Sequence, residues 1–364
     1  MFAKTTKKLI TGITAIAILL SLCACGGQPN VQSPAPASDK PESSSSVETN
    51  APGAVEYESL NIIFAHDAGP GTPTEAAAEL FKELIEERSG GKITVDLFPG
   101  GQLSGNNAFN TSSMLQSGDI NMACINGLNN ELWEIYKFPY LFSNLDEVYA
   151  SEDSASGQYM LDSLQNDSIY GLSFWDVGFR VFTAKKPLSD VNEMNGLKLR
   201  IIDSTAFTTF AKALGANPVS TSMGELYTAL QQGAADTQEN PLATICSRAF
   251  YEVTPYVTLT NHVWTYYVFG ANLDWWNSLP QATRDLIEEV NAEATVRHRK
   301  LAEDLQEDYK QKIIENNGTI VELTDEELAA WVAVGRSTHQ ELESIVGADV
   351  LELFYNDIGI QKTW

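Results

Sequence analysis

Basic residues are scarce in this chain: 23 lysines and arginines stand against 48 aspartates and glutamates, a formal charge of −25. So acidic a surface repels phosphate backbones, which excludes nucleic acid as a partner. Histidine is scarcer still. His66, His262, His298 and His339 lie far apart, so no His-rich metal site is expected. Catalytic patterns are also missing: no helix with paired metal-binding histidines, no serine between glycines at a nucleophile elbow, and no glycine-rich loop ending in Lys-Ser or Lys-Thr. Neither enzyme chemistry nor a cofactor is expected. After residue 22 no apolar run is long enough to span a bilayer.

Cysteine occurs only four times, and two of the four close the N-terminal segment. Lys4, Lys7 and Lys8 precede the apolar run Leu9–Leu22, which reads as a secretory signal too short for an ordinary transmembrane helix. Leu22-Cys23-Ala24-Cys25 resembles the lipobox cut by a lipoprotein signal peptidase, with Cys25 left as the acylated first residue. Two acyl chains hold a protein at a membrane where one binds only reversibly. The expected layout is a signal peptide over 1–24 and a disordered tether over 25–57, rich in Ser, Pro, Ala and Glu and poor in large apolar side chains. Such a coil reaches roughly 30 Å. Without the signal, 20 basic residues face 48 acidic ones. Cys124 and Cys246 remain; a disulfide is open to them in an oxidising compartment, but two buried apolar thiols is the preferred reading.

From about residue 58 some 300 residues follow, enough for two lobes with separate cores. Leu60–His66 reads as a buried strand, Pro73 opens a helix over Glu75–Arg88, and Ser89-Gly90-Gly91 stops it. A strand over Lys92–Phe98, a glycine-containing loop, a helix to Gln116 and a strand over Ile120–Ile125 complete a βαβαβ run. The same order returns as strand Leu197–Ile202, helix Thr205–Leu214, strand Asn217–Ser220, helix Met223–Gln232 and a strand to Glu239. Leu115-Gln116-Ser117-Gly118-Asp119 is echoed by Leu230-Gln231-Gln232-Gly233 with Asp236, which implies two similar α/β lobes. A single helix, capped by Ser278 and running from Pro280 to about Ile314, is expected to cross both lobes. A capped helix after Thr324-Asp325 and a last helix near Asp349–Asn356 follow.

Binding chemistry concentrates between Leu172 and Leu242. Arg180 and Arg200 are each set among apolar strand residues, where an unpaired guanidinium is costly. Each must meet a buried carboxylate or a ligand anion. One stands at a presumed crossover between lobes and the other at the C-terminal end of a strand, where open α/β sheets receive ligands, and a guanidinium matches a carboxylate with two parallel bonds.

These residues resemble the extracytoplasmic solute-binding subunit of TRAP (tripartite ATP-independent periplasmic) transporters. The likeness runs through Ser89-Gly90-Gly91-Lys92-Ile93, Phe98-Pro99-Gly100-Gly101-Gln102-Leu103, the Arg180 and Arg200 strands, Gln238-Glu239-Asn240-Pro241, Leu259-Thr260-Asn261-His262 and Trp276-Asn277-Ser278-Leu279-Pro280. It implies an α/β, two-lobe periplasmic-binding-protein clamshell with a long helix crossing both lobes. Lobe I would comprise 58–177 and about 266–305; lobe II would comprise 178–265 and about 306–364. It further implies a monomer that takes a small organic acid, a C4-dicarboxylate or a sugar acid such as a uronate, to TRAP membrane permease subunits. Arg200 would make the two-pronged carboxylate contact, Arg180 a second polar contact and Asn240 a hydrogen bond to the same end. His66 and Asn126 would face the cleft with Trp175 packed nearby, although core positions are equally open to His66 and Trp175. Met223 stands where many members have an aromatic floor, and Ser104-Gly105-Asn106-Asn107 replaces a commonly acidic stretch, which suits a ligand rich in hydroxyls or acceptors. His262 reads as structural. A binding subunit of an ATP-driven (ABC) importer or of a membrane sensor kinase is the alternative.

Overall fold

The computed structural model describes residues 56–364. The signal, Cys25 and the tether as far as residue 55 lie outside the described residues. Among the described residues there are ten strands: β1 (Leu60–His66), β2 (Ile93–Phe98), β3 (Met122–Ile125), β4 (Ile169–Ala184), β5 (Lys198–Ile201), β6 (Asn217–Ser220), β7 (Thr237–Pro241), β8 (Tyr256–Thr258), β9 (Trp264–Asn272) and β10 (Thr319–Val321). β1 pairs in parallel with β2 and β3, and β5 pairs in parallel with β6 and β7. The two halves therefore repeat one arrangement, as the sequence echo implied. Gly118 and Gly233 explain that echo: each takes a left-handed conformation, at φ 81° and 72°, and closes a helix.

One strand serves both halves. The N-terminal part of β4 pairs antiparallel with β9, which pairs with β3; its C-terminal part pairs with β7 and β8. Two register shifts interrupt β4, at Gly171/Ser173 and Asp176/Gly178. Bulges bend a strand and increase its twist, which lets one strand leave one sheet and enter another. Gly178 has φ +123°, a value that side-chain-bearing residues rarely adopt, so glycine is required at this bend.

The expected continuous helix is two helices, Gln281–Asp304 and Gln306–Glu315, separated at Leu305. The break lies beside the bend in β4, since the Gln306 amide is 3.7 Å from where a Cβ on Gly178 would stand. Gln306 Nε2 donates to the Ala302 carbonyl at 2.7 Å, supplying a side-chain partner within the broken turn. Helix 281–304 spans about 36 Å and packs on helix Pro73–Arg88 and on β4, whereas 306–315 packs on helix Leu242–Ser247 and β10. Ser278 does not cap it. That hydroxyl bonds the Trp275 carbonyl at the end of the preceding helix, and Pro280 is the capping residue. The box at Thr324 and Glu327 forms as expected.

The cores are separate only in part: Phe182, Leu199, Phe210 and Trp331 form a cluster of the second half. One apolar cluster runs from Ile62, Phe64 and Phe81 through Trp175 and Val177 to Leu226, Leu242 and Ile313, joining both halves on the side of the shared strand. Helices His339–Val346 and Ala348–Asp357, expected with the second lobe, pack largely against segments within 131–163: Leu342, Val346 and Phe354 join Trp133, Tyr136 and Met160 in a second cluster. Cys124 and Cys246 are free and buried. Among the described residues no helix is long and apolar enough to cross a membrane.

At the bend, Asp176 is fully buried beside Glu152 and the Trp264 indole, and neither carboxylate oxygen makes a well-formed hydrogen bond. Arg299 on the bracing helix grips Asp153 with two bonds of 2.8 Å and Glu152 at 3.2 Å, lies over the Tyr149 ring, and reaches Asp176 only at 3.8 Å. Burial pushes Asp176 up from 3.8 to about 7, opposed by the Arg299 charge, and burial with the Asp176 charge also raises Glu152. A carboxyl group whose folded-state pKa is raised costs stability as pH climbs from its ordinary value through the raised one. Asp176→Asn should therefore raise the melting temperature at pH 8, with the gain shrinking toward pH 4.5. Calorimetric melts across that range check it, and an equal effect at both ends would refute the assignment.

Candidate ligand-binding site

A cavity of about 300 Å3 opens at the C-terminal ends of β1, β3, β5, β6 and β7, where parallel α/β sheets gather their ligand-binding loops. Asp67 and Gly69 follow β1, Asn126 and Gly127 follow β3, and Ile202 and Asp203 follow β5. Thr221, Ser222 and Met223 follow β6, and Asn240 and Pro241 end β7. The shared strand contributes Val177 and Arg180, and β9 contributes Thr265 and Tyr267. Asn106 and Asn107 reach the wall because their loop is tightly folded. Gly101 takes φ +73°, and a Cβ there would lie 2.8 Å from the Asn106 backbone.

Arg180 resolves the choice left by its sequence setting. Its Nε and Nη2 bond both carboxylate oxygens of Glu239, Nη2 also reaches the Glu239 carbonyl at 2.6 Å and Asn240 Oδ1 at 3.2 Å, and Nη1 donates to Thr265 Oγ1 at 3.1 Å. The charge is thus neutralised inside the protein by Glu239. Burial alone would raise that carboxyl group, but the Arg180 charge, with His262, holds it below the usual range. His262 is buried and structural: Nε2 lies 3.2 Å from Glu239, Nδ1 lies 2.8 Å from Thr260 Oγ1, and desolvation lowers its pKa toward the neutral ring. Asn240 is held by Arg180 and by its own 2.5 Å bond to Gln238 Oε1.

Arg200 differs. It is wholly buried on β5, and its Nε and Nη2 both donate to the Thr221 carbonyl, at 2.9 and 2.6 Å. Nη1 has no partner. Desolvation, with repulsion from Arg180, lowers its pKa to about 10 despite the attraction of Glu239, so it stays charged at neutral pH. Arg200 itself does not line the cavity; it lies behind Thr221, whose carbonyl it bonds and which forms part of the wall.

Asn126 and Met223 line the cavity, but His66 and Trp175 lie outside it. Side chains two apart on a strand share a face, and His66 follows Phe64 onto the core side, leaving the next residue, Asp67, to reach the cavity. Neither His66 ring nitrogen has a partner, and burial lowers its pKa to about 4. Trp175 is a core residue, stacked on Phe269 and His298 and bonded to Thr295 on the bracing helix. Arg248, in the wall at the end of helix Leu242–Ser247, was not anticipated. Its only sequence signal is a basic residue in a segment poor in charge.

The chain matches the model of the family described as bacterial extracellular solute-binding protein, family 7 (DctP), over residues 64–344. It is 31% identical over 300 residues to the C4-dicarboxylate-binding periplasmic protein DctP of Rhodobacter capsulatus, spanning 81% of this chain and 90% of that protein. It is 28% identical to the C4-dicarboxylate-binding protein DctB of Bacillus subtilis, spanning 79% and 83%. Among solved structures, a TRAP periplasmic solute-binding protein from Shewanella oneidensis with bound succinate superposes with a TM-score of 0.78 at 31% identity, covering 82% of this chain and 99% of that one. The sugar acid binding protein DctPAm from Advenella mimigardefordensis in complex with galactonate gives a TM-score of 0.80 at 29% identity, covering 84% and 99%. The chain therefore belongs to the DctP family of extracytoplasmic solute-binding proteins: a two-lobe receptor, not an enzyme.

Glu239→Gln should unfold the protein at markedly lower denaturant, a loss of about 3–5 kcal/mol, because it strips the carboxylate from a buried guanidinium. Urea melts measure it; a loss below about 1 kcal/mol would show that the pair is dispensable.

Proposed function

We propose that this chain is the receptor subunit of a TRAP-type importer, binding a small organic acid, a C4-dicarboxylate or a sugar acid such as a uronate, and delivering it to the membrane permease subunits. The observation that carries the reading is the contrast between the two strand arginines. Arg180 is spent on Glu239, while Arg200 stays charged in a dry setting with Nη1 unpartnered behind the wall residue Thr221. A ligand carboxylate entering beside Thr221 supplies the missing acceptor, a charge-assisted bond in a desolvated place. Asn240 and Arg180 Nη1, with Thr265, offer polar contacts to the same end, Asn126 faces the ligand from the first half, and Met223 with Tyr267 provides apolar contact. That relatives in this family are named for C4-dicarboxylates, and hold succinate or galactonate, supports the ligand class.

In the same reading the cavity lies between a lobe made of 58–177 with about 266–305 and a lobe made chiefly of 178–265 with the segment after the Leu305 break. An anion that touches both favours the closed form. The proposed lipid on Cys25 confines the receptor to the membrane-adjacent volume, raising its effective concentration at the permease.

A thermal-shift panel of organic acids on denaturant-stripped protein identifies the ligand, since one at 100 times its Kd adds about 2.7 kcal/mol. Arg200→Ala should then weaken that ligand by about 2–5 kcal/mol, roughly thirtyfold to several thousandfold. Undiminished affinity in calorimetry would remove Arg200 from the site.

A further inference from the structure

Arg248 and Arg180 are the two guanidiniums in the cavity wall, with Arg200 buried behind it. Arg248 extends from the end of helix Leu242–Ser247, and its Nη2 bonds the Asp67 backbone carbonyl at 3.1 Å and Asn106 Oδ1 at 2.6 Å. Both acceptors are neutral. The nearby Asp67 carboxylate is engaged by the hydroxyls of Ser104 at 2.5 Å and Thr111 at 2.7 Å. The charge of Arg248 is therefore not cancelled by a bonded carboxylate, in contrast to that of Arg180. Its position also differs from that of Arg200: Arg200 lies behind the Thr221 stretch that follows β6, whereas Arg248 stands against the Asp67–Gly69 and Asn106 loops that follow β1 and β2. Arg180, Arg248, Tyr267 and Asp67 line the same cavity. One guanidinium in the wall and one buried behind Thr221, neither bonded to a carboxylate, stand toward different parts of one small cavity and match a ligand with two anionic ends.

We propose that Arg248 is the second anion-recognising residue of this cavity, selecting acids that carry a second negative group, dicarboxylates above all, over acids whose far end bears only hydroxyls. This rests on the reading of Arg200 as the first carboxylate contact. Arg248 also ties a helix of the second half to a loop of the first, so its loss has a rival effect on closure, and that effect falls on every ligand alike.

The test is calorimetry on the full-length protein with succinate, which has two carboxylates, and galactonate, which has one. Arg248→Gln should weaken succinate at least about tenfold and galactonate by no more than about threefold, and Arg248→Lys, which keeps the charge, should recover most of the succinate affinity. Equal weakening of both acids would assign Arg248 to closure and overturn the proposal, as would unchanged succinate affinity in Arg248→Gln. Wild-type binding of galactonate without succinate overturns this proposal alone. Failure of the wild-type protein to bind any organic acid takes the proposed function with it.

Discussion

One strand has to belong to two sheets, and much of this structure follows from that constraint. β4 leaves the pairing with β9 and enters the pairing with β7 within sixteen residues, so it must bend, and it bends at two bulges with Gly178 in a conformation closed to other residues. The bracing helix breaks at the same level. Side chains that flank the bend are pressed into dry surroundings from both directions. Asp176 lies on one side with Arg299 as its distant counterion, and Arg180 on the other with Glu239 as its intimate one. The cavity opens next to this crossing, with Val177 and Arg180 in its wall.

Placing arginines at such a crossing has a cost, and the two strand arginines meet it in different ways. Arg180 is held by Glu239, and Glu239 by His262, in a closed network that positions Asn240 and orients Thr265. Arg200 bonds only a backbone carbonyl. An internal ion pair stabilises the wall, and an unsatisfied buried donor is an energetic vacancy for a ligand to fill. Receptor affinity in this reading comes from a donor that the fold leaves incomplete.

Several elements were legible from local chemistry alone. The repeated strand and helix order, the glycine closures at Gly118 and Gly233 and the box at Thr324 all rest on residues within a few positions of each other. The break at Leu305 was not legible, because neither leucine nor glutamine interrupts a helix; its neighbour Gly178 lies far away in sequence. His66 was ambiguous because a strand end can turn either face inward, and pairing with Phe64 on the core side decided it. Arg248 gave no periodic or motif signal, and the loops that bring Asp67 and Asn106 to it come from the other half of the chain.

By itself the amino-acid sequence determined the acidic two-fold α/β repeat, its binding character and the cost of burying Arg180 and Arg200, since pattern, propensity and desolvation act through residue type and spacing. Only the tertiary structure decided which arginine is neutralised within the protein and which is left open. That choice depends on Glu239 and Thr221 meeting guanidiniums remote from them in the chain, and spatial pairing of this kind leaves no mark on local sequence.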